Sequence, residues 1–179
     1  MKKRWIVFSI ICVFTIGLYV RYKVIEHCRY YSVYYAQHMT EQPDPDIVAK
    51  VFIWNLNCIE RKDEGYRYDF DGSNYVEKYE GDIRKGFGSV YGGFSYTKGD
   101  DISWWFDYDM NATTLFLVGP DEDREMLEEN QIDSKQVKQA KQEIYELIQP
   151  NVDIQPEPDI NIQWVFNYYY KKLDNFYKA

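Results

Sequence analysis

The sequence predicts an α+β protein: an N-terminal single transmembrane helix, then one curved antiparallel β-sheet with helices packed on one face. Three observations lead there. A charge-free run near the N-terminus is bracketed by basic residues, several short segments of the body alternate apolar and polar residues between hairpin-length turns, and late in the chain the period changes to that of a helix. The composition allows a core: of 179 residues, 45% are hydrophobic and 18% aromatic, which excludes wholesale disorder. With only 10 Gly and 6 Pro, collagen-like and low-complexity classes are excluded too. The net charge of -8 is unevenly placed, because no acid precedes Glu26; residues 1–23 carry +5 and the remainder −13. A body this acidic repels phosphate backbones, which argues against a nucleic-acid partner.

Residues 5–20 (WIVFSIICVFTIGLYV) hold no charge. In lipid such a run must satisfy its own backbone, so it should be helical. At ~1.5 Å per residue it spans roughly 24 Å, slightly short of a ~30 Å hydrocarbon core. Trp5, Tyr19 and Tyr22 suit the interfaces, and Arg21 and Lys23 can extend to the headgroups. No small-x-small cleavage site follows the run, and Ile11 rather than a small residue precedes Cys12. An uncleaved signal anchor is therefore expected. Lys2, Lys3 and Arg4 outnumber the bases on the other side, so the positive-inside rule leaves the N-terminus in the cytoplasm and the body outside the cell membrane. The expected division is a basic cytoplasmic tail (1–4), the anchor (5–22), a juxtamembrane helix with a Pro-rich linker (23–46) and an extracytoplasmic α+β domain (47–179).

Residues 24–39 are Tyr-rich and continue the anchor as a helix; residues 41–46 (EQPDPD) form a breaker. Residues 49–60 alternate, with Phe52, Trp54, Leu56 and Cys58 opposite Val51, Ile53, Asn55 and Asn57, a strand pattern. Residues 66–70 and 75–79 form a hairpin about Asp71-Gly72-Ser73. Residues 81–93 contain five of the ten glycines and predict a bulged, bent strand. A second hairpin joins 94–97 to 102–109; in its second arm Ile102, Trp104, Phe106 and Tyr108 face one way and Ser103, Trp105, Asp107 and Asp109 the other. Residues 113–118 form a further strand stopped by Gly119-Pro120. The acidic stretch 121–130 is expected to be helical, its opening acids suiting a helix N-terminus. A second helix, 135–149, is capped by Asp133 or Ser134, carries the stripe Val137, Ala140, Ile144, Leu147 and Ile148, and ends at Pro150. Residues 160–170 alternate again and predict a last strand; a helix is the alternative, because nothing breaks 161–172.

Catalytic constellations are missing from the sequence. Both histidines, His27 and His38, precede the breaker, which removes His-based acid–base and triad chemistry from the domain. Gly86, Gly88, Gly92 and Gly93 resemble a nucleotide loop only loosely, since Tyr91 stands where the fingerprint needs Gly. Asp107, Asp109 and Asn111 match the opening of a calcium loop, but Ala112 and Val118 replace its Gly and Glu. Asp69, Asp71, Asp107 and Asp109 could supply a carboxylate pair; strand alternation also produces such acids on any solvated face. Asn111-Ala112-Thr113 is a glycosylation sequon, relevant only in a eukaryotic secretory cell. Cys28 and Cys58 are either paired in an oxidising space or free thiols. The expectation is a non-enzyme with no cofactor, no metal and no small-molecule substrate.

One stretch stands out. Residues 100–133 hold eleven acids and a single base, Arg124, interleaved with Trp104, Trp105, Phe106, Tyr108, Phe116 and Met126. Aromatic anchors within one sign of charge suit a protein-binding face, and the charge would speed capture of a basic partner. The candidate binding residues are Asp69, Asp71, Ser103, Trp105, Asp107 and Asp109.

A short Lys-flanked anchor, a Tyr-rich juxtamembrane stretch and a small acidic, hairpin-rich domain are closed by a helix and Asn161-Ile162-Gln163-Trp164. In this organisation the chain resembles the TipC family of streptococcal immunity proteins. The resemblance implies a protein on the outer face of the producing cell's membrane that binds and blocks a type VII-secreted antibacterial toxin attacking lipid II. It also implies a curved sheet backed by helices whose concave face meets the toxin, with no catalytic residues to carry over. Two readings from other classes compete: a wall-carbohydrate module stacking sugars on Trp104 and Trp105, and a non-catalytic subunit of a membrane complex.

Overall fold

The computed structural model describes residues 2–39, 44–71, 73–118 and 124–177. Glu41 to Pro43 of the expected breaker, Gly72 of the first turn, Gly119-Pro120 and Asp121 to Asp123 lie outside them. The chain runs α1 (Lys2–Tyr30), α2 (Ser32–Gln37), α3 (Pro45–Trp54), seven strands β1 (Tyr66–Asp69), β2 (Tyr75–Glu80), β3 (Ile83–Val90), β4 (Gly93–Lys98), β5 (Ile102–Phe106), β6 (Ala112–Val118) and β7 (Arg124–Glu128), then α4 (Ser134–Val152) and α5 (Gln163–Tyr177). The strands form one antiparallel sheet whose spatial order is their order in sequence, as short hairpin links require. This is the α+β architecture expected: an apolar N-terminal helix, an antiparallel sheet and helices packed against it.

Register explains which face is covered. Val76, Phe87, Tyr96, Trp104 and Leu115 are cross-strand neighbours in turn, and all are buried. They meet Val48, Phe52, Ile144, Leu147 and Ile148 of α3 and α4 in a single core. Tyr96 and Lys98 reach from β4 to Glu143 of α4, each at 2.8 Å. Asp133 caps α4, its carboxylate accepting from Lys135 N at 3.0 Å.

α1 carries Trp5, Tyr19 and Tyr22 exposed along its apolar length. Among the described residues it is the one helix long and apolar enough to cross a membrane. Its last turns are not a spacer. Cys28, Val33, Tyr35 and Ala36 are buried in the core, so the folded body begins within the 23–46 segment rather than beyond its linker. The Tyr35 hydroxyl donates to Ile160 O at 3.2 Å, and Gln163 Nε2 donates to Tyr35 O at 2.9 Å, which ties α2 to the start of α5. Cys28 and Cys58 are free thiols.

Five expectations need correction. The 49–60 segment is not a strand: α3 starts behind the Asp44 cap with Pro45 at its first position, and Val48 to Ile53 are buried on every side, so no polar stripe marks the helical period. The final alternating segment is α5. Phe166 and Tyr170 turn inward while Trp164 and Tyr168 stay 76% and 55% exposed, which is the period of a helix and not of a strand. The acidic 121–130 stretch is, where described, the edge strand β7 and a 3-10 turn at Glu129–Gln131; Leu127 pairs with Leu115 on the covered face and Met126 with Phe116 on the open one. Finally, β3 pairs with β2 and β4 without a bulge. α4 also continues through Pro150 to Val152, with the proline in its last turn.

Candidate functional site

Among the described residues, no helix packs on the other face of the sheet. Its middle is shaped by Tyr75, whose ring lies across β3. A Cβ on Gly86 would overlap the Tyr75 hydroxyl, and one on Gly88 would come within 2.5 Å of Tyr75 Cδ2. The hydroxyl meets Thr97 Oγ1 at 2.9 Å. These two glycines therefore make room for a tyrosine rather than bend a strand.

Beyond Tyr75, three apolar side chains lie side by side on β5, β6 and β7. Trp105 is 45% exposed and stands edge-on to Phe116 at 5.7 Å. Phe116 pairs with Met126, which is 54% exposed. Ser103 pairs with Phe116 from the other side. A register shift follows Trp105: Trp105 pairs with Thr114 and Phe106 with Ala112, leaving Thr113 as the extra residue, whose hydroxyl donates to Trp105 O at 3.2 Å. Bulges of this kind re-aim a neighbouring side chain. Glu128 and Glu129 rim the patch, and a shallow depression beside it is lined by Thr114, Met126, Glu128 and Asn130. The opposite end of the same face is basic and aromatic. Arg67 lies 3.7 Å from Glu77 and over the Tyr79 ring, and Arg84 pairs with Asp100 at 3.3 Å.

The six candidate residues do not form one patch. Ser103 and Trp105 lie on the open face. Asp69 shares a cross-strand row with Trp105 through Tyr75, Gly88 and Ser95, four strand spacings or about 19 Å away. Its carboxylate accepts from Asp71 N at 2.9 Å and builds the β1–β2 turn. Asp107 is likewise a turn residue. Its Oδ1 accepts from Asp109 N and Asn111 N, both at 2.8 Å, and its Oδ2 from Asn111 Nδ2 at 3.0 Å. That loop holds Met110 at φ 61 with its side chain buried. Asp109 lies near Tyr170: burial, with Asp174, Asp44 and Asp109 close by, pushes that phenol well above its ordinary range. Among the described residues no group of three His, Cys, Asp or Glu side chains could hold a metal ion. Phe116 and Met126 carried a visible signal in the acidic aromatic stretch; Tyr75 did not, because its role shows only when Gly86 and Gly88 are placed beneath it.

No family model, curated protein or solved structure matches the chain.

Proposed function

We propose that the chain is a membrane-tethered, non-catalytic scaffold that receives another protein on the open sheet face. Following its resemblance to the TipC family, that protein is a secreted antibacterial toxin, blocked at the outer face of the membrane. One observation carries this reading: Trp105, Phe116 and Met126 stand together, Trp105 and Met126 about half exposed, on a sheet made rigid by a helix-packed core behind it. Rigid exposed aromatics lose little entropy on docking, and such residues dominate binding energy at interface centres. The acidic rim at Glu128 and Glu129 would speed the approach of a basic surface. Binding alone suffices for an immunity protein, which needs no reacting group. The anchor, α1, would hold the scaffold where a secreted toxin arrives.

The test is co-expression in a susceptible host with toxins encoded beside this gene. The unaltered chain should restore growth against one of them. Trp105→Ala combined with Met126→Ala should remove that protection while the protein stays at its normal level in the membrane. Protection that survives the double substitution would exclude the open face, and failure against every neighbouring toxin would exclude the immunity reading. Charge reversal belongs at Glu129, since at Asp107 it would break the loop that the carboxylate builds and at Glu128 the capping box of the 3-10 turn.

A further inference from the structure

A cavity of about 750 Å³ lies at the far end of the sheet, on the side of the core away from the open face. That size falls within the roughly 300–1,000 Å³ of small-molecule sites. Its walls come from the last turns of α1 (Ile25, Arg29), from α3 (Trp54), from α5 (Phe166, Tyr170) and from the end of β3 (Val90). The lining is mainly apolar and aromatic, and most of its polar side chains are already engaged. Asn74 Nδ2 donates to Ile53 O at 2.7 Å, Asn55 Nδ2 to Val51 O at 3.1 Å, and Ser89 Oγ accepts from Asn74 N at 3.1 Å. Two groups remain. Tyr170 is 8% exposed and its hydroxyl finds no hydrogen-bond partner among the described residues, a state a buried hydroxyl rarely keeps. Arg29 is exposed and makes a 3.3 Å hydrogen bond to Asn57 Oδ1 but no ion pair among the described residues.

The position of the cavity identifies what can fill it. Ile25 and Arg29 follow Val20, the last residue of the charge-free run, by only about 7.5 and 13.5 Å along the helix. The charge-free run is shorter than a ~30 Å hydrocarbon layer, so a bilayer that accommodates it brings its headgroups to this depth. Ile160, 68% exposed, lies at the same level, because its O is 3.1 Å from His27 Nε2 of α1, and Trp164, 76% exposed, follows it by four residues; a tryptophan suits an interface. We propose that the cavity takes up one acyl chain of a glycerophospholipid from the surrounding bilayer, with the phosphate held at Arg29. The site is separate from the open face and does not depend on what binds there. It makes the body a lid lying on the membrane rather than a globule on a free stalk.

The experiment uses the full chain reconstituted into phosphatidylcholine–phosphatidylglycerol vesicles with a trace of phospholipid bearing a diazirine near the end of one acyl chain. After illumination, labelled peptides are mapped by mass spectrometry. Label is expected on the peptides containing Trp54 and Tyr170 as well as on residues 5–20. Val90→Trp, which fills the cavity from its rim, should remove the first and keep the second. Should Val90→Trp fail to fold, Arg29→Glu decides: it leaves the cavity intact and should lower labelling at Trp54 by a phosphatidylglycerol probe roughly fivefold, with less change for phosphatidylcholine. Label confined to residues 5–20 and the exposed Trp164 would overturn the proposal. So would label at Trp54 that neither substitution changes.

Discussion

On the covered face of the sheet, polar groups are spent on structure. Tyr96, Lys98 and Gln139 all converge on the carboxylate of Glu143, locking α4 to β4. On the open face, Trp105 and Met126 are left about half exposed with no helix above them. Strand β5 shows the contrast at its sharpest. Trp104 is 6% exposed and stacks on Phe106 at 6.2 Å, while its neighbour Trp105 is 45% exposed. The same residue type, one position apart, serves the core in one case and is available to a partner in the other. An exposed tryptophan that stability does not require needs another reason to be there.

The largest expected effect tests that contrast directly. Trp104→Ala should destabilise the protein by about 3–5 kcal/mol, whereas Trp105→Ala should cost less than about 1 kcal/mol, near the range of surface substitutions. Denaturant titration of the detergent-solubilised chain measures both. Equal losses would mean that Trp105 is a core residue and the open face a misreading.

A smaller effect is expected at Gly88. Gly88→Ala places a methyl group against Tyr75 Cδ2 and Asn74 O, and such overpacking costs about 1–3 kcal/mol. Tyr75→Ala in the same background removes the ring from this contact and should recover part of the loss. A loss that the double variant leaves unchanged would place the strain at Asn74 instead.

The smallest effect is a pH dependence on the covered face. Burial raises the pKa of Glu143, but hydrogen bonds from Lys98, Tyr96 and Gln139 outweigh it and hold the carboxyl below its ordinary 4.5. A carboxyl depressed in the folded state stabilises the fold above its unfolded pKa and loses that contribution as pH falls through the folded one. Melting temperature should therefore drop on acidification below about 4.5, and Glu143→Gln should flatten that drop without altering partner binding. A profile identical in the variant would show that Glu143 does not link α4 to the sheet electrostatically.

The hairpin of β1 and β2 and the strands β5 and β6 were legible in the sequence because alternation and turn residues agree there; the 81–93 segment was not, because β3 and β4 are buried at consecutive residues and show no solvated face. The α3 and α5 segments were not. α3 is surrounded by protein, and a helix buried on all sides has no polar stripe to reveal its period; its Asp44-Pro45 start was the usable signal. In α5 the run Ile162, Trp164, Phe166, Tyr168, Tyr170 alternates by residue type, and only exposure separates the outward pair Trp164 and Tyr168 from the rest. The open-face residues Ser103 and Trp105 were readable from strand alternation. The turn roles of Asp69 and Asp107 were not readable, because composition does not distinguish a carboxylate facing solvent from one holding its own turn.

The central claim is that a partner docks on Trp105 and its neighbours. The most direct measurement is the affinity of the full chain, in detergent micelles, for any toxin that the co-expression test identifies, compared with Trp105→Ala and with Tyr91→Ala, whose side chain is fully exposed in a turn. Loss of an interface anchor costs about 2 kcal/mol or more, so the account predicts binding weakened at least roughly 30-fold by Trp105→Ala and unchanged by Tyr91→Ala. Unaltered affinity in the Trp105 variant would contradict it.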